Sequence, residues 1–273
     1  MKVSAYIPCF NNVATVARAV ESIRGQTVAV DELFAMDDGS ADGTGALLRA
    51  LGVRVITHPV NLGRGAARAR AMVEAAHELV LACDAGIALP PGFLETAQSR
   101  MSEERVAAVF GSVISPAPRN ATERWRSRHL FKAGRAAAVD RRASLATGGV
   151  LLRKAAVLGV GNFAAERRCG EDAELGGRLL AAGFAVVCDP ALQVLAWGDN
   201  SLPQLLERYE RWNSGAKPGS GLGAYLKHVS YAIRVMARED LRQRDPASAA
   251  ISFLCPHYLF WKTRFRRRAG LSQ

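Results

Sequence analysis

Over the first 84 residues, short apolar segments alternate with longer segments whose apolar residues have helical spacing. The pattern predicts strands at 2–8, 31–38, 53–59 and 78–84, and helices at 11–26, 40–52 and 63–77. The first helix is expected to start after Asn11 or Asn12 as cap. Its apolar face would consist of Val13, Val16, Ala17, Val20 and Ile23. Strands that alternate with helices of this length favour a parallel, doubly wound α/β sheet.

After residue 104 the alternation of predicted strands and helices becomes less regular. Strands are predicted at 106–114 and around the glycine pair of "TGGVLLRK", and an acidic helix start is predicted at "GEDAELGGRL". Three further helices are predicted at 201–216, 222–240 and 247–266. We therefore expect a main domain over 1–215 and a helical C-terminal extension over 216–273.

Composition narrows the class of partner. The formal net charge of +11 favours anionic ligands. Nucleic acid is not expected, because no nucleic-acid-binding motif accompanies the charge. The five cysteines are scattered and form no CxxC pair, which predicts reduced thiols and a cytoplasmic protein. We expect no signal peptide, and no apolar run reaches the ~18 residues of a spanning helix.

Polar residues end the first four predicted strands. They are Pro8 with Cys9, Asp37 with Asp38, His58, and Asp84. In a parallel sheet these ends meet at one edge, where ligands bind. Ser40 or Asp42 could cap the following helix, but capping does not explain the two acids before them. Asp37 and Asp38 are therefore predicted to accept hydrogen bonds from a ligand.

Two helix starts carry candidate chemistry. "NLGRGAARAR" (61–70) has glycines and arginines that suit a phosphate, with a solvated basic helix face as the alternative for Arg68 and Arg70. "CGEDAELGGRL" (169–179) places Glu171 and Asp172 at a helix start. These two acids could provide a general base or could simply complement the helix dipole.

In chain order, "IPCFNN", "DDGSADGT", "NLGRGAARAR", "CDAG" before "LPPGFLE", "TGGVLLRK" and "GEDAELGGRL" resemble the family 2 glycosyltransferases. The resemblance covers residues 2–215. It implies the inverting reaction and the GT-A nucleotide-diphospho-sugar transferase fold, a Rossmann-like mixed sheet flanked by helices. The implied partners are a nucleotide-diphosphate sugar, with UDP as the expected nucleotide, and a glycan or lipid-linked acceptor.

The resemblance also implies roles for single residues. Asp172 would deprotonate the acceptor, with Glu171 as the next candidate for that base. Asp84 matches the first acid of the family's DxD motif, which contacts ribose or metal. The remaining implied donor-binding residues are Pro8, Asp37, Asp38, Arg64, Arg68, Gly148 and Gly149.

The sequence departs from the family pattern at two places that bear on binding of a divalent metal ion. Gly86 stands where the second DxD acid is expected, and "LQVLAWGDN" has no histidine near Ala196 and Trp197. A Mg²⁺ or Mn²⁺ requirement is therefore doubtful, with Asp84 as its one candidate ligand. Arginines could neutralise the leaving diphosphate instead. The candidates are Arg64, Arg68, Arg124, Arg126, Arg128 and Arg135. The alternative is a degenerate member that only binds a sugar nucleotide or a partner enzyme.

The segment 247–268 combines an apolar stretch with a basic end. Such a segment suits peripheral contact with the inner face of a membrane. The alternatives are a helix packed on the main domain and a dimer contact. Pro256 is expected to kink any helix here.

Overall fold

The computed structural model describes residues 1–131, 138–197, 201–214 and 222–268, with the backbone alone at 212, 214 and 266–268. The chain divides into two compact units. The first comprises Met1–Ile114 and Gly134–Gly198, and the second comprises Ser115–Ala133 and Asp199–Gln273. The first unit thus ends at Gly198, and the domain boundary predicted after 215 stays a prediction.

A mixed sheet forms the first unit. Its strands are β1 (Val3–Cys9), β2 (Glu32–Asp37), β3 (Arg54–Thr57), β4 (Leu79–Cys83), β5 (Ile87–Ala88), β6 (Val106–Ile114), β7 (Gly149–Arg153) and β8 (Ala185–Ala196). The order is β3-β2-β1-β4-β7-β6-β8-β5. The four strands from β3 to β4 run parallel, as predicted. β7 lies antiparallel between β4 and β6, and β5 lies antiparallel to β8.

The helices follow the predicted alternation. They are α1 (Val16–Arg24), α2 (Thr44–Ala50), α3 (Arg64–Glu74), α4 (Phe93–Arg100), α5 (Ala121–Trp125), α6 (Lys154–Gly159), α7 (Glu171–Ala181), α8 (Leu202–Ser214), α9 (Leu222–Tyr231), α10 (Arg238–Arg242) and α11 (Pro246–Arg268). Two π-helical segments, Arg126–Leu130 and Ala232–Ala237, continue α5 and α9. β4 is buried along its whole length, as expected of a central strand that is covered on both faces.

The predicted start of the first helix is wrong. α1 begins at Val16, and Val13 is 41% exposed in the preceding turn. This turn is held by the loop after β2: the Asn11 amide donates to Ser40 Oγ (2.9 Å) and the Val13 amide donates to Asp42 Oδ2 (3.0 Å). Ser40 and Asp42 thus join two loops, and Gly43 is the N-cap of α2.

The second unit is helical. Its core comprises Trp125, Leu205, Tyr209, Ala232, Met236, Ile251, Cys255 and Leu259. The indole of Trp125 donates to Ser252 Oγ (2.7 Å), which donates to the buried Asp240 (2.6 Å). α11 continues through Pro256. Among the described residues, no helix is long and apolar enough to span a bilayer.

Candidate donor and catalytic site

The carboxyl ends of the parallel strands bring the predicted residues together at one edge of the sheet. In the parallel pairing of β1 with β2, Pro8 lies opposite Met36 and Cys9 lies opposite Asp37. Asp84 follows β4 directly, and its amide donates to the carbonyl of Gly148 (2.9 Å). Gly149 begins β7 opposite Cys83. The strand-end acids and the glycine pair therefore lie at the same edge of the sheet.

Asp38 anchors the loop between β3 and α3. Its Oδ1 lies 2.8 Å from His58 Nδ1 and accepts from the Leu62 amide at 3.0 Å. Its Oδ2 accepts from Asn61 Nδ2 (2.9 Å) and from the Gly63 amide (2.8 Å). The carboxylate is buried, and these four contacts offset the cost of burying its charge. Contact with a nucleoside base stays a prediction for Asp38, because both oxygens already hold this loop.

We expect Asp38→Asn to lower the free energy of unfolding by about 1–3 kcal/mol, because the amide removes the charge that its four donors contact, one of them the buried Gly63 amide. Chemical denaturation of the ligand-free protein checks this. Asp42→Asn is the control, since Asp42 is exposed and holds a surface turn. Unchanged stability together with lost nucleotide affinity would show that Asp38 contacts the ligand and has little anchoring role.

Asp37 occupies the turn after β2. It is buried, and its Oδ1 accepts from the Ser40 amide at 3.0 Å. A Cβ at Gly45 would lie 2.8 Å from Asp37 Oδ2, so the glycine lets the start of α2 approach this carboxylate. Asp37 is therefore held between the turn and the helix.

Arg68 lies between two acids that are far from it in sequence. Its side chain is 1% exposed; Nη2 donates to Asp84 Oδ1 (2.7 Å) and Nε donates to Glu171 Oε1 (3.2 Å). Burial lowers the pKa of the Arg68 guanidinium, but Asp84, Tyr6 and Glu171 outweigh it and the net shift is well upward. The solvated-face interpretation is therefore wrong for Arg68. It suits Arg70, which is 56% exposed and pairs with Glu74.

The two acids at the start of α7 have different surroundings. Glu171 is buried against Arg68, and its Oε2 has no hydrogen-bond partner among the described residues. Asp172 is half-buried, and its one recorded hydrogen bond within the described chain is from the adjacent Ala173 amide to Oδ1 (2.8 Å). The structure thus leaves Asp172 the freer carboxylate.

The start of α3 is packed against the segment that leads into α7. The Gly65 amide donates to the Arg167 carbonyl (3.0 Å), and a Cβ at Gly65 would lie 2.2 Å from the carbonyl oxygen of Ala164. Arg168 donates to the side-chain and main-chain oxygens of Asn61 at 2.8 and 3.0 Å. Arg64 is 43% exposed, with Nε 3.8 Å from Glu171 Oε1. The glycines of "NLGRG" therefore allow close loop packing and leave Arg64 facing solvent.

The turn after Asp84 contacts Trp197, which in turn contacts Arg18, a residue that the sequence did not indicate. The Trp197 amide donates to the Gly86 carbonyl (2.8 Å), and the Arg18 guanidinium lies 4.5 Å from the centroid of the Trp197 ring. Position 18 lies within the helix predicted at 11–26, and no local signal relates it to position 197. The structure thus brings an exposed cation near the turn that lacks a second acid.

The residues at this turn do not fit a metal site built from several protein ligands. Asp84 already pairs with Arg68, and Gly86 offers no side-chain oxygen. No cluster of three or more His, Cys, Asp or Glu side chains suited to a metal occurs in the described part of the chain. A hard divalent cation would have Asp84 as its single carboxylate here, where such ions prefer several oxygens.

Two of the candidate arginines, Arg124 and Arg128, are held by acids of the second unit. Arg124 pairs with Asp245 at 2.8 Å, and Arg128 pairs with Asp240, which also accepts from His129. Arg126 is buried, and Arg135 lies outside the described residues. These ion pairs give Arg124 and Arg128 a role within the helical unit.

Comparison with solved structures defines the fold class. A mannosyltransferase from Pyrobaculum calidifontis, solved with GDP-Man and Mn²⁺, matches with a TM-score of 0.63 at 15% identity, over 92% of this chain and 73% of that one. The eight-stranded mixed sheet flanked by helices is the GT-A glycosyltransferase fold, which confirms the predicted fold class.

Sequence comparison defines the family. The profile described as "Glycosyl transferase family 2" matches residues 4–159, more than half of the 273 residues. The chain therefore belongs to glycosyl transferase family 2, as its motifs predicted.

Two curated relatives agree. The pre-mycofactocin glycosyltransferase of Mycobacterium tuberculosis is 27% identical over 228 residues, which is 79% of this chain and 47% of the relative. The uncharacterized glycosyltransferase YwdF of Bacillus subtilis is 30% identical over 137 residues, 48% of this chain and 50% of the relative. The chain thus spans about half the length of these relatives.

Proposed function

We propose that the protein is an inverting glycosyltransferase that moves a sugar from a nucleotide-diphosphate donor to an acceptor hydroxyl. The observation that carries this is the buried Arg68, which ties Asp84 at the donor edge to Glu171 while Asp172 stays half-buried beside it. In this arrangement Arg68 holds Asp84 and Glu171 in place on the donor side, and Asp172 is left to take the acceptor's proton.

In the proposed reaction, the acceptor oxygen attacks the anomeric carbon from the side opposite the diphosphate. Asp172 takes the acceptor's proton as the new C–O bond forms. The bond from the anomeric carbon to the diphosphate oxygen breaks, and the nucleoside diphosphate leaves with the electron pair. Inversion follows from this single in-line displacement.

The leaving diphosphate gains negative charge that must be stabilised. Arg64 and Arg18 are partly or largely exposed at this side of the unit, and neither is sequestered by an acid at hydrogen-bond distance in the described structure. Arg68 contributes a fixed positive charge from below the surface. Its Nη1 and the Tyr6 hydroxyl are both buried without a hydrogen-bond partner among the described residues.

We propose that donor binding depends weakly on metal. EDTA should lower nucleotide affinity less than tenfold in calorimetry, because Arg68 holds Asp84 and repels a cation by about 4 kcal/mol for unit charges 4 Å apart at an effective dielectric of 20. Gly86→Asp should increase the EDTA effect. The substitution fits sterically, since the nearest atom to a Cβ there is the Trp197 carbonyl oxygen at 3.6 Å. Gly86→Asn is the uncharged control, and loss of all binding by the natural protein in EDTA would contradict the arginine account.

The donor nucleotide, proposed as UDP, is tested by a thermal-shift screen of nucleoside diphosphates and their sugars. Stabilisation by one nucleotide and product formation with its sugar would support the enzyme. Binding without transfer to any acceptor would support the alternative, a degenerate member that only binds a sugar nucleotide.

We propose a glycan or lipid-linked acceptor and a location at the cytoplasmic face of a membrane. α11 supports the location in part. It exposes Phe253, Leu254 and Trp261, while Ile251 and Leu259 are buried in the core of the second unit. The helix therefore combines core packing with an exposed apolar face.

A further inference from the structure

The helical segment from residue 232 to 242 carries four rows of side chains, and the fourth contains Val235 and Glu239. Each row has a spacing of four residues, between the 3.6 of an α-helix and the wider turn of the π-helical part. One row is buried in the second unit: Ala232, Met236 and Asp240. The next row is apolar and the third is cationic: Ile233, Ala237 and Leu241, then Arg234, Arg238 and Arg242.

The apolar and cationic rows line one shallow open groove. Ile233 is 49% exposed and Leu241 is 58% exposed, about two helical turns apart in the same row, with Ala237 between them. The second unit therefore presents an apolar face that no residue in the described structure covers.

The row of arginines beside this face indicates that its partner is anionic. Arg234 and Arg238 form no ion pair with any described residue, and Arg242 approaches only Glu239, at 4.0 Å. Arginine stems lie along apolar surface while the guanidinium reaches outward to anions. An apolar row beside an arginine row is the composition of a helix that lies in the interface of an anionic membrane.

We propose that the 233–242 face binds an anionic lipid surface, with Ile233 and Leu241 at the acyl boundary and Arg234 and Arg238 at lipid phosphates. The proposal does not rest on the proposed transferase activity. It also assigns the contact to a segment outside the predicted 247–268.

The test is flotation of the full chain with vesicles of phosphatidylcholine alone and of phosphatidylcholine with phosphatidylglycerol. The natural protein should bind the anionic vesicles and should bind them less at higher salt. Arg234→Gln with Arg238→Gln should weaken binding about 25-fold, at about fivefold for each arginine near the surface. Leu241→Gln should weaken it about tenfold, because an exposed leucine gains by burial in the acyl boundary.

Matched controls lie on the first unit. Arg105→Gln with Arg142→Gln makes the same charge change at exposed positions, and Leu158→Gln matches Leu241→Gln. Circular dichroism and melting temperature show that each variant is folded. Vesicle binding that is weakened in the Arg234, Arg238 and Leu241 variants and retained in the controls supports the proposal. Equal losses in controls and variants, no binding of the natural protein to anionic vesicles, or a dimer that Leu241→Gln dissociates would overturn it.

Discussion

Asp172→Asn should lower turnover roughly 10²–10⁴-fold while nucleotide affinity changes little, because the amide keeps the shape of the side chain but cannot take a proton. The expectation rests on the surroundings of Asp172. Its carboxylate is half-buried and accepts from the Ala173 amide, whereas the neighbouring Glu171 is buried against Arg68. A base must reach the acceptor, and of the two acids only Asp172 has a solvent-accessible carboxylate.

Initial rates and calorimetry with the donor found by the thermal-shift screen measure both quantities. Glu174→Gln is the matched control, since it removes one negative charge from the same helix at a side chain that pairs with Arg178. The control should keep its turnover. Full activity of Asp172→Asn would remove Asp172 from the mechanism and make Glu171 the next candidate.

The fold was largely predictable because its central strands, β1 and β4, are buried on both faces. The apolar runs that end at Asp37 and Asp84 place both acids at the same edge of the sheet. The parallel order follows from short strands separated by helices. The start of α1 was not predictable from spacing, because the turn at Asn11 and Val13 is held by Ser40 and Asp42 across the sheet edge. Helical periodicity contains no information on such contacts between loops.

The sequence predicted that the candidate residues would lie at one edge of the sheet, but it did not predict their contacts with one another. Arg68 and Glu171 are 103 positions apart, and nothing local to either indicates that they form an ion pair. The hydrogen-bond partners of Asp38 could not be predicted either, since they lie in the loop that begins after β3. A motif supplies residue types, but only the fold shows that Glu171 is buried and Asp172 is half-buried.

Arg68→Met should lower the free energy of unfolding by about 3–5 kcal/mol, because it leaves the buried Glu171 carboxylate without its partner. Methionine keeps much of the apolar volume of the arginine side chain. The expected loss of stability therefore comes from the unpaired charge of Glu171 more than from lost packing. Arg70→Met is the control on the same helix. Arg70 is 56% exposed and pairs with Glu74, and its loss should cost about 0–1 kcal/mol.

A double variant separates a buried ion pair from a simple loss of packing. Arg68→Met combined with Glu171→Gln removes the uncompensated charge, so it should recover a large part of the stability that Arg68→Met loses. Urea denaturation followed by far-UV circular dichroism gives the free energies for the mutant cycle, and contacting residues of this kind show coupling energies of about 0.5–3 kcal/mol. Additive losses in the double variant would mean that Arg68 and Glu171 stabilise the protein independently. The buried cation would then not be what holds the donor-side acid and the start of α7 together.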